Sequence, residues 1–301
     1  ILDDQISTVL MEVNELLRKV RKIELKSRDM SRLLFSGDTL SFFKGRGMSF
    51  AEVREYQYSD DVRYIDWNVT ARTGMPFVKV YEEERELNVI IMVDVSKSSF
   101  FGTDTRLKSE LITEMSAVLA FSAVQNNDRV GLILFSDKIE LYIPPAKGRN
   151  QILRIIREMV NFRPENMKTD IRRALQFLNN VVKKNSICFM LSDFQDDHFG
   201  AQMRIAGRKH DLIAIHVEDK AEHYLPDVGM LIAVDPETNE EFVLDTSNAA
   251  FRTAYHKQYQ ERRKKLQKVL GESKVDRIEI TLGEEENYVR KLLNFFKSRA
   301  R

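Results

Sequence analysis

The chain has 301 residues, of which 43% are hydrophobic and 31% charged, a composition typical of a soluble globular protein with one large domain or one domain plus an accessory segment. Lys and Arg (47) nearly balance Asp and Glu (46), which gives a net charge of +1. The protein as a whole therefore lacks the excess of positive charge that would attract nucleic acid or an anionic membrane. No apolar run reaches the ~18 residues of a membrane helix. We therefore expect no membrane span. The single cysteine, Cys188, excludes a disulfide framework, which fits a reducing compartment, so we expect a cytoplasmic protein.

The first predicted element is a long helix. Apolar side chains step by four and three residues from Leu2 to Ile23, which is the spacing of a heptad seam. The seam fits pairing with another chain or docking onto the chain's own body, and we prefer docking because roughly three heptads is the minimum for a coiled coil. From Gly45 to Glu86 the sequence becomes charge-dense and aromatic, broken by glycine and proline. We predict a helix and a small β-rich accessory segment in residues 1–86, and the main domain in residues 87–301.

Beyond Leu87, apolar runs alternate with amphipathic helical patterns. This alternation predicts an α/β fold with a doubly wound, mostly parallel sheet that is covered by helices on both faces. Ser136-Asp-Lys joins the second strand directly to the run 139–143, which is too short for a crossover helix and therefore predicts one antiparallel edge strand. A weaker two-strand excursion is predicted on either side of residues 235–240, before a long helix that begins at about Asn248.

Small oxygen-bearing side chains follow the first strand of this predicted domain. Asp94, Ser96 and Ser98 alternate where the strand becomes a loop, so a carboxylate and two hydroxyls can converge on one point. Thr169, before a predicted helix, and Asp193, at the end of another buried strand, add further oxygens. In the strand order 3-2-1-4-5-6, Asp94 and Asp193 would straddle the switch point where ligands bind. An oxygen-only set of ligands predicts Mg²⁺ or Mn²⁺, with Ca²⁺ as a further candidate, and disfavours zinc.

The sequence lacks the motifs of several enzyme classes. A phosphate-binding loop would need a glycine-rich stretch that ends in a Lys-Ser/Thr pair, and Lys97-Ser-Ser-Phe-Phe-Gly after the first strand does not have that arrangement. A Gly-x-Ser-x-Gly elbow is also absent from the sequence. An aspartyl-phosphate phosphatase would have a second Asp where Ser96 stands. Two alternatives stay open: a Mg²⁺-dependent phosphohydrolase or nuclease that uses Asp94 and Asp193, and a purely structural role in which the same residues cap helices and turns.

The assembled set, Asp94-x-Ser96-x-Ser98, Thr169 and Asp193, resembles the metal-ion-dependent adhesion site of von Willebrand factor A domains. In that family the serines and the threonine bind the ion directly or nearly so, the aspartates act directly or through water, and a partner's carboxylate completes the coordination. The resemblance implies a von Willebrand factor A-like fold. It also implies a non-enzymatic protein-interaction module whose protein partner donates an acidic residue to the metal.

A narrower resemblance extends from about residue 36 to residue 296. It is carried by Arg54-Glu-Tyr, Asp60-Asp-Val-Arg, Ile65-Asp-Trp and Lys79-Val-Tyr-Glu-Glu-Glu-Arg, followed by Asp94-Val-Ser, which are similar to the bacterial family called domain of unknown function fifty-eight. Membership implies genomic association with MoxR-type AAA+ ATPases, and hence a role as an adaptor in the remodelling or maturation of other proteins. The charged and aromatic segment is interpreted as an interdomain brace, with a partner-docking surface as the alternative.

Overall fold

The computed structural model describes residues 21–30, 48–83, 87–96, 107–163, 168–234, 241–283 and 285–299. The chain divides into two compact units, one formed by Phe43–Leu87 and the other by the residues before and after it. The predicted division at residue 87 stays a prediction, and most of the predicted heptad helix lies outside the described residues. None of the helices described has the length and apolar character needed to cross a bilayer.

The described part of the heptad helix is α1 (21–30), and it contacts the chain's own body. Lys26 pairs with the buried Glu114 (Nζ to Oε1, 2.7 Å). The carboxylate of Glu24 accepts a hydrogen bond of 2.8 Å from Nε of Arg149. These contacts hold α1 against two different elements of the larger unit.

The smaller unit contains two antiparallel strands and a short helix: β1 (Met48–Glu55), α2 (Trp67–Thr73) and β2 (Phe77–Glu83). Its charged side chains fix the local backbone. Asp66 begins α2 by accepting hydrogen bonds from the amides of Asn68 and Val69, at 3.0 and 3.3 Å. Arg54 makes a two-point contact with Asp60, at 2.8 and 2.6 Å. Several residues that carry the family resemblance therefore act as caps and ion pairs.

The larger unit alternates strands and helices along the chain. Its elements are β3 (Asn88–Asp94), α3 (Lys108–Gln125), β4 (Arg129–Phe135), β5 (Ile139–Ala146), α4 (Arg149–Asn161), α5 (Ile171–Val181), β6 (Ile187–Ser192), α6 (Gly200–Lys209), β7 (Asp211–Glu218), α7 (Lys220–His223), β8 (Met230–Val234), β9 (Glu241–Asp245), α8 (Ala249–Glu272), β10 (Asp276–Thr281) and α9 (Glu285–Arg299). The strands β8 and β9 form the predicted excursion, a separate antiparallel ribbon.

The six-stranded main sheet has the order β10-β7-β6-β3-β4-β5. All neighbouring pairs are parallel except β4 and β5, which are antiparallel. When these six strands are renumbered 1 to 6 in chain order, the sheet reads 3-2-1-4-5-6 from β5 to β10, which is the predicted order. The predicted fold class is therefore confirmed, a doubly wound, mostly parallel α/β sheet with one antiparallel edge strand. The switch point lies at β3, whose neighbours β4 and β6 belong to opposite halves of the sheet.

The central strands are buried on both faces, as their continuous apolar runs predict. Every residue of β6 is buried, and so is every residue of β3 after Asn88. Helix α5 packs on one face through side chains spaced by three and four residues, namely Ile171, Ala174, Leu175 and Leu178. Because the sheet is covered on both sides, its polar chemistry is confined to the strand ends.

The two outer strands of the main sheet carry residues that suit an edge. In β5, Pro144 and Pro145 lie at a register shift against β4, and proline cannot donate a backbone hydrogen bond. Opposite them, a Cβ on Gly131 would lie 2.9 Å from the carbonyl oxygen of Ile143, so a side chain there would collide with backbone. At the other edge, β10 presents Arg277, which pairs with Glu279 at 2.7 Å.

Candidate metal centre

The carboxylate of Asp94 lies at the C-terminal end of β3 and is fully buried. Its Oδ1 accepts a hydrogen bond of 3.1 Å from the amide of Ser96, in the turn that follows the strand. The hydroxyl of Ser192, at the end of the neighbouring β6, donates to Oδ2 at 2.7 Å. The hydroxyl of Thr169, two residues before α5, lies 3.4 and 3.5 Å from the two oxygens. The structure therefore brings Asp94, Ser96 and Thr169 together, and Ser98 lies outside the described residues.

Asp193 follows β6 directly, on the other side of the switch point. Its Oδ1 accepts a hydrogen bond of 3.3 Å from the amide of Gln195. Its Oδ2 is buried and receives no hydrogen bond from the described residues, although Nζ of Lys108 lies 3.7 Å away. A buried carboxylate oxygen without a hydrogen bond is costly, and a bound cation would relieve that cost.

The negative charge of Asp193 affects the protonation of Asp94. Burial, followed by the negative charge of Asp193, raises the pKa of Asp94 to about 6, although hydrogen bonds from Ser192 and Ser96 oppose the rise. Around neutral pH Asp94 therefore carries its charge in a buried setting that disfavours it. A divalent cation between the two strand ends would stabilise that charge.

Lys108 is a buried residue beside the candidate metal centre that the sequence pattern did not predict. It is the first residue of α3, only 1% exposed, and it forms ion pairs with both Asp193 and Glu222 of α7. Burial alone would lower the pKa of Lys108, but the carboxylates of Asp193, Glu222 and Asp219 raise it above its ordinary value. Three carboxyl groups of the described chain, those of Asp193, Glu222 and Asp219, thus surround a single ammonium.

Hydrogen bonds hold the loop between β6 and α6 at two points. Phe194 is buried with a φ of 54°, a backbone conformation that a bulky side chain rarely adopts. Its amide donates a hydrogen bond of 2.9 Å to the hydroxyl of Ser192, so this one hydroxyl serves both Asp94 and the loop. Further along, Asp196 accepts a hydrogen bond of 2.9 Å from the amide of Ile171 at the start of α5. The loop that carries Asp193 is therefore tied to the element that follows Thr169.

The oxygen atoms present fit a hard divalent cation. Two carboxylates and the hydroxyls of Ser96 and Thr169 are the ligand types that Mg²⁺ accepts. No group of three or more His, Cys, Asp or Glu side chains within the described ranges is arranged to hold a metal ion. A cation at this position would therefore depend on hydroxyl oxygens as well as on the carboxylates of Asp94 and Asp193.

A cavity of about 430 Å³ opens beside Asp193, between the loop after β6 and helix α8. Its walls combine aromatic, aliphatic and titratable side chains, including Phe194, His216, Glu222, Tyr255, Tyr259 and Leu266. The volume lies within the range of sites that hold small ligands. Asp193, a predicted metal ligand, thus forms part of the cavity wall.

Comparison with known proteins places the chain in a family. Residues 52–265 match the family described as "Protein of unknown function DUF58". The chain belongs to the DUF58 family. This DUF58 chain is 31% identical to the uncharacterized protein Rv1480 of Mycobacterium tuberculosis over 232 residues, which cover 75% of the chain and 73% of the relative. The family resemblance seen in the sequence is therefore confirmed.

Solved structures similar to this DUF58 chain include an aerotolerance-related membrane protein from Bacteroides fragilis, with a TM-score of 0.48 and 13% identity over 70% of this chain and 99% of that chain. Another is the SpRpn10 VWA domain, with a TM-score of 0.39 and 11% identity over 69% of this chain and 94% of that chain.

Proposed function

We propose that this chain is a non-enzymatic, Mg²⁺-dependent protein-interaction module whose ion is held by Asp94, Ser96, Ser98, Thr169 and Asp193. The single observation that carries the proposal is the fully buried carboxylate of Asp94, which faces a second strand-end carboxylate among hydroxyl groups. A bound divalent ion would supply the positive charge that this arrangement needs.

The chemistry of the donors favours binding over catalysis. Neutral hydroxyls leave most of the ion's charge uncompensated, so the ion would attract one more anionic oxygen, which an Asp or Glu of a protein partner can provide. The cavity beside Asp193 offers space for a neighbouring side chain of that partner. We propose that recognition combines the partner's carboxylate with an adjacent side chain in this cavity.

We further propose that the module is a cytoplasmic adaptor for a MoxR-type AAA+ ATPase, acting in protein remodelling or complex maturation. The support for the ATPase is the family resemblance, and the support for the compartment is the cysteine content of the sequence. A pull-down with and without Mg²⁺ tests the partner. Wild type should retain the ATPase only with Mg²⁺, and Asp94→Ala should lose it. Equal retention by both proteins would contradict a metal-dependent contact.

Calorimetric titration with Mg²⁺ tests the site itself. We expect one divalent site in the wild type and none in Asp94→Ala, because the substitution removes the central carboxylate. Asp197→Ala is the matched control, since Asp197 lies on the loop after β6 but is 67% exposed and pairs with Lys265 on the surface. Unchanged Mg²⁺ binding in Asp94→Ala would overturn the site assignment.

The enzymatic alternative has its own assay. A Mg²⁺-dependent phosphohydrolase or nuclease would turn over generic phosphoesters or nucleic acid and would lose that activity in Asp94→Asn. We expect no turnover by wild type across such a panel. Metal-dependent turnover that disappears in Asp94→Asn would replace our proposal with the enzymatic one.

A further inference from the structure

Lys108 is the only described cation that forms an ion pair with Asp193. A lysine at the first position of a helix ordinarily extends into water, whereas this side chain is 1% exposed. Its ammonium joins Asp193 at the end of β6 to Glu222 on α7. A lysine is buried in this way only where carboxylates compensate its charge.

The position of this ammonium affects any cation bound nearby. It lies 3.7 Å from the buried Oδ2 of Asp193, the oxygen that receives no hydrogen bond from the described residues. A divalent ion that uses Asp193 would therefore share its carboxylate with a fixed positive charge. Two cations that share one carboxylate repel each other, and the repulsion is strong where water is excluded.

We propose that Lys108 is a tethered counter-cation that weakens and tunes divalent-ion binding through its contact with Asp193. The inference rests on the proposed metal-binding function and names a residue that regulates that same site. Because the ammonium of Lys108 compensates part of the negative charge of Asp193, that carboxylate compensates less of the positive charge of a bound ion. Such an ion attracts a partner's carboxylate more strongly. Lys108 would therefore favour binding of the partner without contacting the ion itself.

Glu222 acts in the opposite sense. It pairs with Lys108 and is itself surrounded by the charges of Asp193 and Asp219. Its carboxylate offsets the positive charge that Lys108 presents to the site. Removing the charge of Lys108 should therefore tighten divalent-ion binding, whereas removing the charge of Glu222 should weaken it. A role limited to holding the site in shape predicts weaker binding from both changes.

The test is calorimetric titration of wild type, Lys108→Met, Glu222→Gln and Lys220→Met with Mg²⁺. Even at the dielectric constant of bulk water, about 80, a unit charge about 6 Å from a divalent ion changes affinity by roughly tenfold, and we take this value as the minimum effect. We expect Lys108→Met to bind Mg²⁺ about tenfold more tightly and Glu222→Gln about tenfold more weakly. Lys220 is exposed on α7, so Lys220→Met controls for a general loss of positive charge and should leave affinity within about twofold.

A second measurement, thermal unfolding with and without Mg²⁺, tests the role of Lys108 independently of titration. In chelator, Lys108→Met should unfold at a lower temperature than wild type, because it leaves Asp193 buried beside Glu222 without a counter-charge. Added Mg²⁺ should raise its melting temperature by more than that of wild type. In an Asp193→Asn background, the effect of Lys108→Met on Mg²⁺ affinity should largely disappear, since the proposed influence passes through Asp193.

The outcomes are distinguishable. If wild type binds Mg²⁺ and Lys108→Met binds it equally or more weakly, Lys108 is not a counter-cation and this inference alone is overturned. If neither protein binds Mg²⁺, the proposed function is overturned together with the inference. If only Lys108→Met binds Mg²⁺, the inference about Lys108 is supported, and the divalent site that the proposed function expects in the wild type is overturned. Lys108→Gln, which keeps a hydrogen-bond donor without the charge, replaces Lys108→Met if circular dichroism shows that the latter does not fold, and the same criteria apply to it.

Discussion

Substitution of Ser192 by alanine tests whether one hydroxyl joins the candidate metal centre to the loop that follows β6. The hydroxyl donates to Oδ2 of Asp94 at 2.7 Å and accepts from the amide of Phe194 at 2.9 Å. Ser192→Ala removes both bonds in a fully buried setting and changes the side-chain volume by only one oxygen atom. The loss in stability should therefore report the two hydrogen bonds rather than packing.

The expected magnitude follows from the kinds of bond that are lost. A hydrogen bond to a charged group contributes about 1.5 to 3 kcal/mol, and a buried amide left without an acceptor costs about 1 to 3 kcal/mol. Because the loop can relax in part, we expect Ser192→Ala to lower the free energy of unfolding by about 3 kcal/mol. The metal-free protein should show the full loss, since no cation then compensates the charge of Asp94.

Urea unfolding followed by circular dichroism, with a chelator present, measures this difference. Ser122→Ala is the matched control, because Ser122 is also fully buried but donates only to the carbonyl of Val118 within its own helix, at 2.7 Å. A bond of that kind contributes little to helix stability, so the control should lose less than about 0.5 kcal/mol. Equal losses in the two variants would refute the hydrogen-bond argument.

Two further predictions concern pH and packing. In chelator, the raised pKa of Asp94, about 6 against an ordinary 3.8, should make the metal-free fold less stable as pH rises through that interval, because the folded state holds the proton more tightly than the unfolded state. Stabilisation by Mg²⁺, measured as a rise in melting temperature, should accordingly grow from pH 5 to pH 7, and a constant rise would contradict this coupling. Gly207→Ala would place a Cβ 2.6 Å from the carbonyl oxygen of Ser273 and should lose about 1 to 3 kcal/mol. Gly271→Ala, which meets no atom within 4 Å, should gain about 1 kcal/mol, and calorimetric melting that ranks the two equally would contradict the packing argument.

The mostly parallel sheet with helices on both faces was predictable because burial on both faces leaves a distinct pattern. Continuous apolar runs such as Ile187 to Leu191 can exist only where helices cover the sheet on both sides, and the short Ser136-Asp-Lys connection allows only a hairpin. Asp94 and Thr169 converge because α5, which leads into the parallel strand β6, begins at the edge of the sheet where the parallel strands end. The metal-binding roles of Asp94, Ser96, Ser98, Thr169 and Asp193 stay predictions.

The buried polar residues around this centre were not predictable from local pattern. Lys108 begins α3 as many surface lysines begin helices, and only the tertiary positions of Asp193 and Glu222 explain its burial. Ser192 lies beside Asp193 in the sequence, yet strand alternation suggests that neighbouring side chains point apart. The hydroxyl of Ser192 reaches Asp94 because β3 and β6 are adjacent strands, which is a long-range property.

The outer strands of the main sheet limit how two copies of the chain, or the chain and a partner, can associate. Pro144 and Pro145 deprive β5 of backbone donors, and Arg277 and Glu279 place charges on β10. An added strand would find poor pairing at either side, so the sheet resists growth by β-strand addition. For the proposed interaction function, recognition would therefore fall to the loops at the carboxyl ends of the strands.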